Sequence, residues 1–285
     1  MPAKIINGKT IAADIRLELR ARVHDLIEQH RIVPGLAVIL VGDDPASAIY
    51  VSNKVNACSA VGVRSFQRHF DVSVDTDTLL TEIHALNKDP DVHGILVQLP
   101  LPKHVNMRSV LEAISVEKDV DGFHLYNVGS LVAGSTIFSP CTPYGVEKLL
   151  EHERITVEGQ NVVVVGASNI VGKPMALMLM QKDATVCVCH AKTRDLAQFT
   201  ILADILVVAA GKPQLILPQM VRTGAVVIDV GINRLPNGRI AGDVDFEGVR
   251  QKASYITPVP GGVGPMTVTM LLENTVASAE RRLRA

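Results

Sequence analysis

The chain has 285 residues, a formal net charge of −1 and 47% apolar residues. This length allows one large or two small domains, each able to bury a hydrophobic core. The balanced charge argues against a polyanion-binding protein, and the apolar content argues against a disordered one. Tryptophan is absent and aromatic residues make up 4% of the chain. Aromatic platforms that stack on single-stranded nucleic acid are therefore not expected.

The first residues, MPAKIINGKTIAADI, lack the apolar core of a secretion signal, and no apolar run reaches membrane-spanning length. The four cysteines are Cys58, Cys141, Cys187 and Cys189. The last two form Cys-x-Cys within ATVCVCH, which places both on one face of a strand and differs from the usual Cys-x-x-Cys metal knuckle. We therefore expect reduced, structural cysteines, no metal site and a soluble cytoplasmic protein.

The first half of the chain alternates helical and strand patterns. In chain order, the predicted elements are a helix over 11–27, a strand over 36–42, a helix from 45 to about 61, a strand over 65–70, a helix over 76–87 and a strand over 93–100. Pro34 and Gly35 end the first helix, and Asp44 followed by Pro45 opens the second. This alternation predicts βαβ units and a parallel sheet.

Residues 101–140 are rich in loops and contain the predicted hinge, after which a helix starts at Thr142 or Pro143 and ends near His152. Four β-rich runs follow, NVVVVG, ATVCVCH, ADILVVAAG and GAVVIDVG, with helical stretches joining the first three. This pattern predicts a doubly wound parallel sheet. PVPGGVGP should be irregular, and TVTMLLENTVASAERRL should form a final amphipathic helix.

We therefore predict an α/β protein of two domains with a cleft between them. Residues 1–139 form the catalytic domain, and residues 140–265 form a Rossmann-like nucleotide domain. The C-terminal helix, residues 266–285, packs back on the catalytic domain.

The turn after the strand over 161–165 indicates a nucleotide site. Its sequence is GASNIVGKP and it leads into the helical stretch MALMLM. A glycine-rich turn of this kind brings backbone N–H groups and a helix N-terminus to a pyrophosphate. The motif is not Gly-x-Gly-x-x-Gly, because the glycines are Gly166 and Gly172 with Ser168 between them. A tight turn without a ligand is the alternative.

The second strand of the nucleotide domain favours NADP over NAD. NAD enzymes carry an acidic residue about 20 residues beyond the glycines, where it binds the ribose hydroxyls. Here that region is Cys-His-Ala-Lys-Thr-Arg, and its cations His190, Lys192 and Arg194 suit a 2′-phosphate. The alternative is a set of solvated loop charges. Gly231 and Ile232 end another strand at the same sheet edge, where they would flank the adenosine or nicotinamide.

Tyr50 and Lys54 form the candidate chemical site. They lie within SAIYVSNKVNACSAVGV, and their i,i+4 spacing places both on one face of a helix. A desolvated lysine can have its pKa drawn from about 10.4 toward neutrality, where it can catalyse proton transfer. The alternative is a surface lysine that keeps its ammonium in water. Short-chain dehydrogenases also use Tyr-x-x-x-Lys, but there the motif follows the glycine-rich loop, whereas here it precedes it.

Further segments extend this candidate site. Gln98 ends an apolar strand in GILVQLPLP, KDVDGFH places two carboxylates in a loop, and TPVPGGVGPMT supplies glycines that allow close backbone approach to a flat ligand. With YVSNK, PCTP, VVGASNIVGKP and VIDVGIN, these segments resemble the bifunctional methylenetetrahydrofolate dehydrogenase/cyclohydrolase family. The resemblance covers nearly the whole chain, and the motifs are highly specific in combination.

The resemblance implies roles for individual residues. Lys54 matches the catalytic lysine, with Tyr50 beside it to stack on and orient the folate, and Gln98 matches a glutamine that modulates the lysine. Asp121 matches an aspartate that holds the amino and N–H edge of the pterin-like ring. The implied folate loop is Pro260, Gly261 and Gly262. The implied cofactor contacts are Gly166, Ala167, Ser168 and Ile232, with Thr142 and Thr267 as neighbours.

The implied reactions are NADP-dependent oxidation of 5,10-methylenetetrahydrofolate and hydrolysis of the methenyl product to 10-formyltetrahydrofolate, without a metal. The family also implies a homodimer formed through the second domain. The chain departs from many members at Ala167, where they carry an arginine that can meet the 2′-phosphate, and at Asn56, where they carry a second lysine. His190, Lys192 or Arg194 must then supply the phosphate charge.

Two other interpretations compete with this one. The first is another two-domain dehydrogenase with a catalytic lysine, such as an amino-acid dehydrogenase, which would need cationic clamps for a substrate carboxylate in the first half. The second is a nucleotide-binding sensor or scaffold without catalysis, in which Lys54 would titrate like a free lysine.

Overall fold

The computed structural model describes residues 1–283. Residues 284 and 285, which the predicted C-terminal helix included, lie outside the described residues. The elements in chain order are β1 (Lys4–Ile5), α1 (Gly8–His30), β2 (Gly35–Val41), α2 (Pro45–Val61), β3 (Arg64–Phe70), α3 (Thr76–Lys88), β4 (Gly94–Val97), α4 (Met107–Glu112), α5 (Leu125–Val132), α6 (Cys141–His152), β5 (Asn161–Val165), α7 (Gly172–Met180), β6 (Thr185–Cys189), α8 (Leu196–Thr200), β7 (Ile205–Val208), β8 (Val226–Asp229), β9 (Asn233–Arg234), β10 (Ile240–Ala241), α9 (Phe246–Arg250), β11 (Tyr255–Ile256) and α10 (Val263–Arg281). None of these helices is long and apolar enough to cross a membrane.

The chain divides into two compact units. The six-stranded unit contains Met1–Ala13 and Thr142–Thr267, and the three-stranded unit contains Asp14–Cys141 and the residues from Val268 onward. The predicted division placed residues 1–139 together, whereas the first thirteen residues belong with the six-stranded unit. The physical reason is that β1 pairs with β11, so the start of the chain becomes the edge strand of the second sheet. The helices α1 and α10 each run from one unit into the other.

The six-stranded unit contains a parallel sheet of order β1-β11-β8-β7-β5-β6. The predicted doubly wound sheet is confirmed, and β5 to β8 match the four apolar runs. The sequence pattern missed β1, β11 and the antiparallel pair β9–β10, because two-residue strands carry no periodicity. β6 and β7 pair with opposite sides of β5, so the sheet changes winding direction there. The carboxyl ends of β5 and β7 therefore form the crevice in which such sheets bind ligands.

The three-stranded unit contains the parallel sheet β3-β2-β4. α3 covers one face, where Leu79 and Ile83 pack with Ile39 and Ile95 in a fully buried cluster. Asp44 caps α2 by accepting a hydrogen bond from the Ser47 N–H at 2.8 Å. β4 ends at Val97 and not at the predicted residue 100.

The segment between β4 and α6 was predicted to be mainly loop, but it contains two short α-helices and, between them, a 3-10 helix at Val116–Lys118. Asn106 caps α4 by accepting from the Ser109 N–H at 3.1 Å, and His124 Nδ1 caps α5 by accepting from the Tyr126 N–H at 3.0 Å. Buried Lys118 fixes the region between them by donating to the carbonyls of Leu86 and Asp89, both at 2.8 Å. The two α-helices have six and eight residues, which is too short for a repeating apolar pattern to identify them in sequence.

Asn274 on α10 anchors the same segment inside the three-stranded unit. Its buried amide donates to the carbonyls of Val120 at 2.8 Å and Ser139 at 3.1 Å. These carbonyls lie on either side of the loop that carries Asp121, so one side chain sets the position of both ends.

We predict that Asn274→Leu destabilises the protein by about 2–4 kcal/mol, because two carbonyls lose their donor. Urea unfolding followed by circular dichroism measures the change. Asn56→Leu, on the exposed surface of α2, is the control and should shift the free energy of unfolding by less than about 0.5 kcal/mol. Equal stability of the two variants would contradict this role for Asn274.

Candidate functional site

Lys54 lies on α2, one helical turn after Tyr50. The Lys54 side chain is partly buried, whereas Tyr50 is 40% exposed. An exposed aromatic ring beside a partly buried amine leaves a flat apolar surface for a ligand next to a polar group that water reaches poorly. The predicted pair therefore shares one helical face.

Gln98 is the hydrogen-bond partner of Lys54. Lys54 Nζ donates to Gln98 Oε1 at 3.0 Å, and Gln98 Nε2 donates to the Leu99 carbonyl at 2.7 Å. The second bond orients the amide so that its oxygen faces the amine. The Gln98 N–H bonds to the Ile39 carbonyl at 2.8 Å, which fixes this residue just beyond the end of β4. The sheet thereby positions the partner of a residue on α2.

Burial is the main electrostatic influence on this group. It lowers the pKa of the Lys54 ammonium, and the nearby Asp121 carboxylate opposes that shift. Burial likewise raises the pKa of Asp121, although part of its surface stays accessible, and Lys54 and Cys141 oppose that shift. The effect of burial exceeds that of the carboxylate, so Lys54 loses its proton more readily than an exposed lysine.

The thiols of Cys58 and Cys141 also lie near Lys54. The sequence predicted reduced, structural cysteines but did not place either of them beside this lysine. Burial raises the pKa of Cys58 to about 12 and that of Cys141 well above its ordinary value, so both remain protonated. Cys141 Sγ donates to the Val120 carbonyl at 3.3 Å. Cys141 lies in the PCTP segment that resembles the family, but the sequence of this segment does not indicate what the thiol contacts.

Asp119 shapes the loop that carries Asp121. The buried Asp119 carboxylate accepts hydrogen bonds from the N–H groups of Phe123 at 3.2 Å and His124 at 2.8 Å, and from Asn127 Nδ2 at 2.7 Å. Burial raises the pKa of Asp119 to about 6, and these bonds oppose the shift. The sequence showed two carboxylates in this loop, but only the contacts distinguish the buried loop anchor from Asp121.

Ser168 organises the glycine-rich turn of the six-stranded unit. Its hydroxyl accepts hydrogen bonds from the N–H groups of Val171 at 3.1 Å and Gly172 at 3.4 Å, and its carbonyl accepts from the Lys173 N–H at 3.0 Å. Ser168 therefore serves the first turn of α7 in the way a helix cap does. Ala167, which precedes it, is partly exposed at the carboxyl end of β5.

Gly166 requires the absence of a side chain. Its φ is +124°, and a Cβ there would collide with the Ala209 carbonyl on the loop after β7. A Cβ on Gly172 would in turn collide with the Gly166 carbonyl. The two glycines therefore allow the chain ends at the switch point to approach closely, which is the packing role such glycines have in dinucleotide folds.

The three predicted cations follow β6, which pairs with β5 in register from residue to residue. His190, Lys192 and Arg194 are all exposed, and none of them forms an ion pair with a carboxylate among residues 1–283. His190 Nδ1 accepts from the Lys192 N–H at 3.1 Å, and the His190 N–H donates to Thr193 Oγ1 at 2.9 Å. This tight turn presents the positive charges of Lys192 and Arg194, which no carboxylate among residues 1–283 neutralises, at the carboxyl edge of the sheet, as a 2′-phosphate requires.

The remaining predicted residues also lie in the six-stranded unit. Gly231 is buried at the end of β8 and Ile232 beside it is 47% exposed. The hydroxyls of Thr142 and Thr267 are 3.1 Å apart. The predicted folate loop is Pro260, Gly261 and Gly262.

That loop packs against the start of α1, where the Lys9 N–H donates to the Gly261 carbonyl at 3.2 Å. A Cβ on Gly8 would collide with the Gly262 carbonyl. The predicted site residues are thus distributed over both units, with Tyr50, Lys54, Gln98 and Asp121 in the three-stranded one. Within residues 1–283, no group of three or more His, Cys, Asp and Glu side chains is placed to hold a metal ion.

Family models match both units of the chain. The model described as "Tetrahydrofolate dehydrogenase/cyclohydrolase, catalytic domain" matches residues 6–121. The model described as "Tetrahydrofolate dehydrogenase/cyclohydrolase, NAD(P)-binding domain" matches residues 140–283.

Individual proteins match over the whole length. "Bifunctional protein FolD" of Nitrosospira multiformis is 60% identical over 281 residues, which cover 99% of this chain and 97% of that protein. The crystal structure of the bifunctional enzyme FolD from Campylobacter jejuni has 53% identity and a TM-score of 0.96, covering 98% of this chain and 99% of that one. The Trypanosoma brucei FolD structure, complexed with NADP cofactor and inhibitor, has 39% identity and a TM-score of 0.96 over 100% of both chains.

Proposed function

The chain belongs to the tetrahydrofolate dehydrogenase/cyclohydrolase family, and we propose that it oxidises 5,10-methylenetetrahydrofolate with NADP and hydrolyses the product to 10-formyltetrahydrofolate. The observation that supports the hydrolytic reaction is the partly buried Lys54 amine, which bonds to Gln98. The Asp121 carboxylate counteracts part of the lowering of its pKa by burial. The observation that supports NADP is the unpaired cationic turn after β6. Both reactions belong to one-carbon metabolism.

The oxidation depends on positioning. NADP, held by the glycine-rich turn and the cations after β6, would supply the acceptor for the hydride that leaves the one-carbon bridge of the substrate. The cation that remains is stabilised by the two nitrogens on either side of the carbon, so the protein need not supply a base. In our proposal Tyr50 stacks on the folate, Asp121 holds the amino and N–H edge of its pterin ring, and Pro260 to Gly262 line the folate.

The hydrolysis requires proton transfer. Water adds to the methenyl carbon while the neutral Lys54 amine takes one of its protons. The ammonium then returns that proton to the ring nitrogen as the carbon–nitrogen bond breaks. The new hydroxyl loses its proton to solvent and becomes the formyl oxygen, so each turnover releases one proton. Gln98 orients the amine throughout.

The nucleotide contacts that we propose lie at the carboxyl edge of the six-stranded sheet. Gly166, Ala167 and Ser168 receive the pyrophosphate, Gly231 and Ile232 flank the base or nicotinamide, and Thr142 and Thr267 are neighbours of the cofactor. The glycine close approach at the switch point and the cations beside it fit a dinucleotide with a 2′-phosphate. His190, Lys192 and Arg194 take the place of the arginine that Ala167 replaces.

We also propose a cytoplasmic homodimer, formed through the six-stranded unit, that acts on free folates and binds no nucleic acid. The β6 edge of its sheet supports self-association, because within residues 1–283 β6 pairs only with β5. Val188 on that strand and Phe199, Ile201 and Leu202 around α8 are exposed apolar residues. Such an edge promotes association unless it is covered.

Replacement of Lys54 tests the hydrolytic role. Lys54→Met should lower the rate of methenyltetrahydrofolate hydrolysis by on the order of 10²–10⁴-fold, because the amine that moves the proton is lost. Reduction of NADP by methylenetetrahydrofolate should fall by less than about tenfold, through substrate positioning alone. Both rates are followed in one assay that starts from methylenetetrahydrofolate. Exposed Lys88→Met is the control, and wild-type hydrolysis by Lys54→Met would refute the role.

The cationic turn can be tested with the two nucleotides in parallel. Replacing His190, Lys192 and Arg194 together by alanine should raise the KM for NADP by at least about tenfold, since charge-assisted bonds to the 2′-phosphate are lost. The KM for NAD, which lacks that phosphate, should stay within about twofold. The three single variants identify the residue that binds it. An equal change for both nucleotides would refute the phosphate role.

Sedimentation velocity tests the proposed dimer. The wild-type chain should sediment as a dimer, and Leu202→Glu should shift it toward the monomer, because a carboxylate would be buried at the interface. Glu247→Gln, on α9, is the control. A monomeric wild-type protein would refute the dimer, and an unchanged dimer in Leu202→Glu would refute this edge as its interface.

A further inference from the structure

Asp243 lies in the six-stranded unit between β10 and α9, and its side chain is fully buried. Its Oδ2 accepts hydrogen bonds from the N–H groups of Ala210 at 2.7 Å and Gly211 at 2.9 Å. Its Oδ1 accepts from the Lys212 N–H at 2.9 Å and from Asn233 Nδ2 at 2.8 Å. One carboxylate thus binds three successive backbone N–H groups of the loop after β7 and one side chain beyond β8.

Asp229, the last residue of β8, holds Asp243 in place. Its Oδ1 accepts from the N–H groups of Asp243 at 3.0 Å and Gly231 at 2.9 Å, and its Oδ2 accepts from the Val244 N–H at 3.0 Å. The Asp229 N–H in turn donates to Thr257 Oγ1 at 2.7 Å. The two aspartates therefore connect the strand end of β8 with the loop after β7 through hydrogen bonds alone.

The glycines around this pair leave no space for adjustment. A Cβ on Gly231 would collide with the Asp243 carboxylate, and one on Gly242 would collide with the Asp229 carboxylate. The loop that Asp243 binds begins after Ala209, whose carbonyl lies against Gly166. The pair consequently sets the relative position of the chain ends after β5, β7 and β8, which are three of the loops at the candidate nucleotide site.

We propose that Asp243, supported by Asp229, is a positioning residue for nucleotide binding, which holds the loops after β7 and β8 in the shape that receives NADP. Neither carboxylate is assigned contact with the nucleotide. The proposal rests on the proposed function of this unit as the NADP-binding one. It extends that function to two residues, of which Asp243 lies in a segment, GDVD, that in sequence has the composition of a solvated turn.

A through-space charge effect and a positioning effect of Asp243 predict opposite changes in the affinity for NADP. NADP is a polyanion, so removing a carboxylate near its site should strengthen binding through space. The asparagine side chain has the same size as the aspartate it replaces, but one of its two polar atoms is an N–H₂ group that would face backbone N–H donors. If positioning dominates, Asp243→Asn must therefore weaken binding despite the loss of negative charge.

The experiment measures NADP binding to the full chain by isothermal titration calorimetry, together with hydrolysis of methenyltetrahydrofolate, which uses no nucleotide. Asp243→Asn should raise the Kd and the KM for NADP by at least about tenfold, with kcat at saturating NADP reduced much less, because displaced binding loops cost affinity. Any loss of hydrolysis should be smaller than the loss of affinity. Asp245→Asn is the matched control, since the Asp245 side chain caps α9 by accepting from the Gly248 N–H, and it should bind NADP like the wild type.

The variants distinguish failure of the positioning role from misfolding and from failure of the proposed function. Unchanged or tighter NADP binding by a folded Asp243→Asn variant would overturn the positioning role. If that variant does not fold, Asp229→Asn provides the test, because it loses only the bond from Val244 and should weaken NADP binding by roughly threefold; unchanged binding there would overturn the role. If the wild-type chain itself does not bind NADP, the proposed function fails independently of Asp243.

Discussion

The chemistry proposed for this protein depends on keeping one amine out of bulk water without leaving it unpaired. Lys54 is partly buried, its Nζ bonds to Gln98, and the Asp121 carboxylate offsets part of the cost of burying its charge. Without a partner, burial would expel the proton entirely or displace the side chain. With these partners the amine can hold a proton in one step of hydrolysis and release it in another. This property also separates an enzyme from a sensor that uses the same fold only to bind a nucleotide.

Buried carboxylates solve a related problem for the backbone. Asp119, Asp229 and Asp243 each accept two or more backbone N–H groups from loops that have no ladder or helix to satisfy them. In the three-stranded unit this arrangement shapes the loop of Asp121. In the six-stranded unit it shapes the strand ends at the switch point. Burial of the carboxylates disfavours their charged form and raises the pKa to about 6 for both Asp119 and Asp229. These hydrogen bonds connect the loop of Asp121 to the start of α5, and they connect the loops of the six-stranded unit to each other and to the end of β8.

The sequence predicted the elements with strong patterns, and it failed where contacts decide. Apolar runs located β2 and β5 to β8, and the family resemblance predicted Tyr50, Gln98 and Asp121 as companions of Lys54. Two-residue strands such as β1, and the short helices capped by Asn106 and His124, are not long enough to show a repeating pattern in sequence. The roles of Cys141 and Asp243 could not be read either, because a buried acceptor and a solvated turn residue look identical until their donors are known.

A titration of Lys54 tests the central claim most directly. NMR of the protein labelled at lysine follows each ammonium through its midpoint, and Lys54→Met assigns the signal by its loss. Relative to exposed lysines, which titrate near a pKa of about 10.4, Lys54 should have a lower midpoint, and Asp121→Asn should lower it further because the opposing charge is gone. A Lys54 midpoint equal to that of the exposed lysines in both proteins would contradict the account.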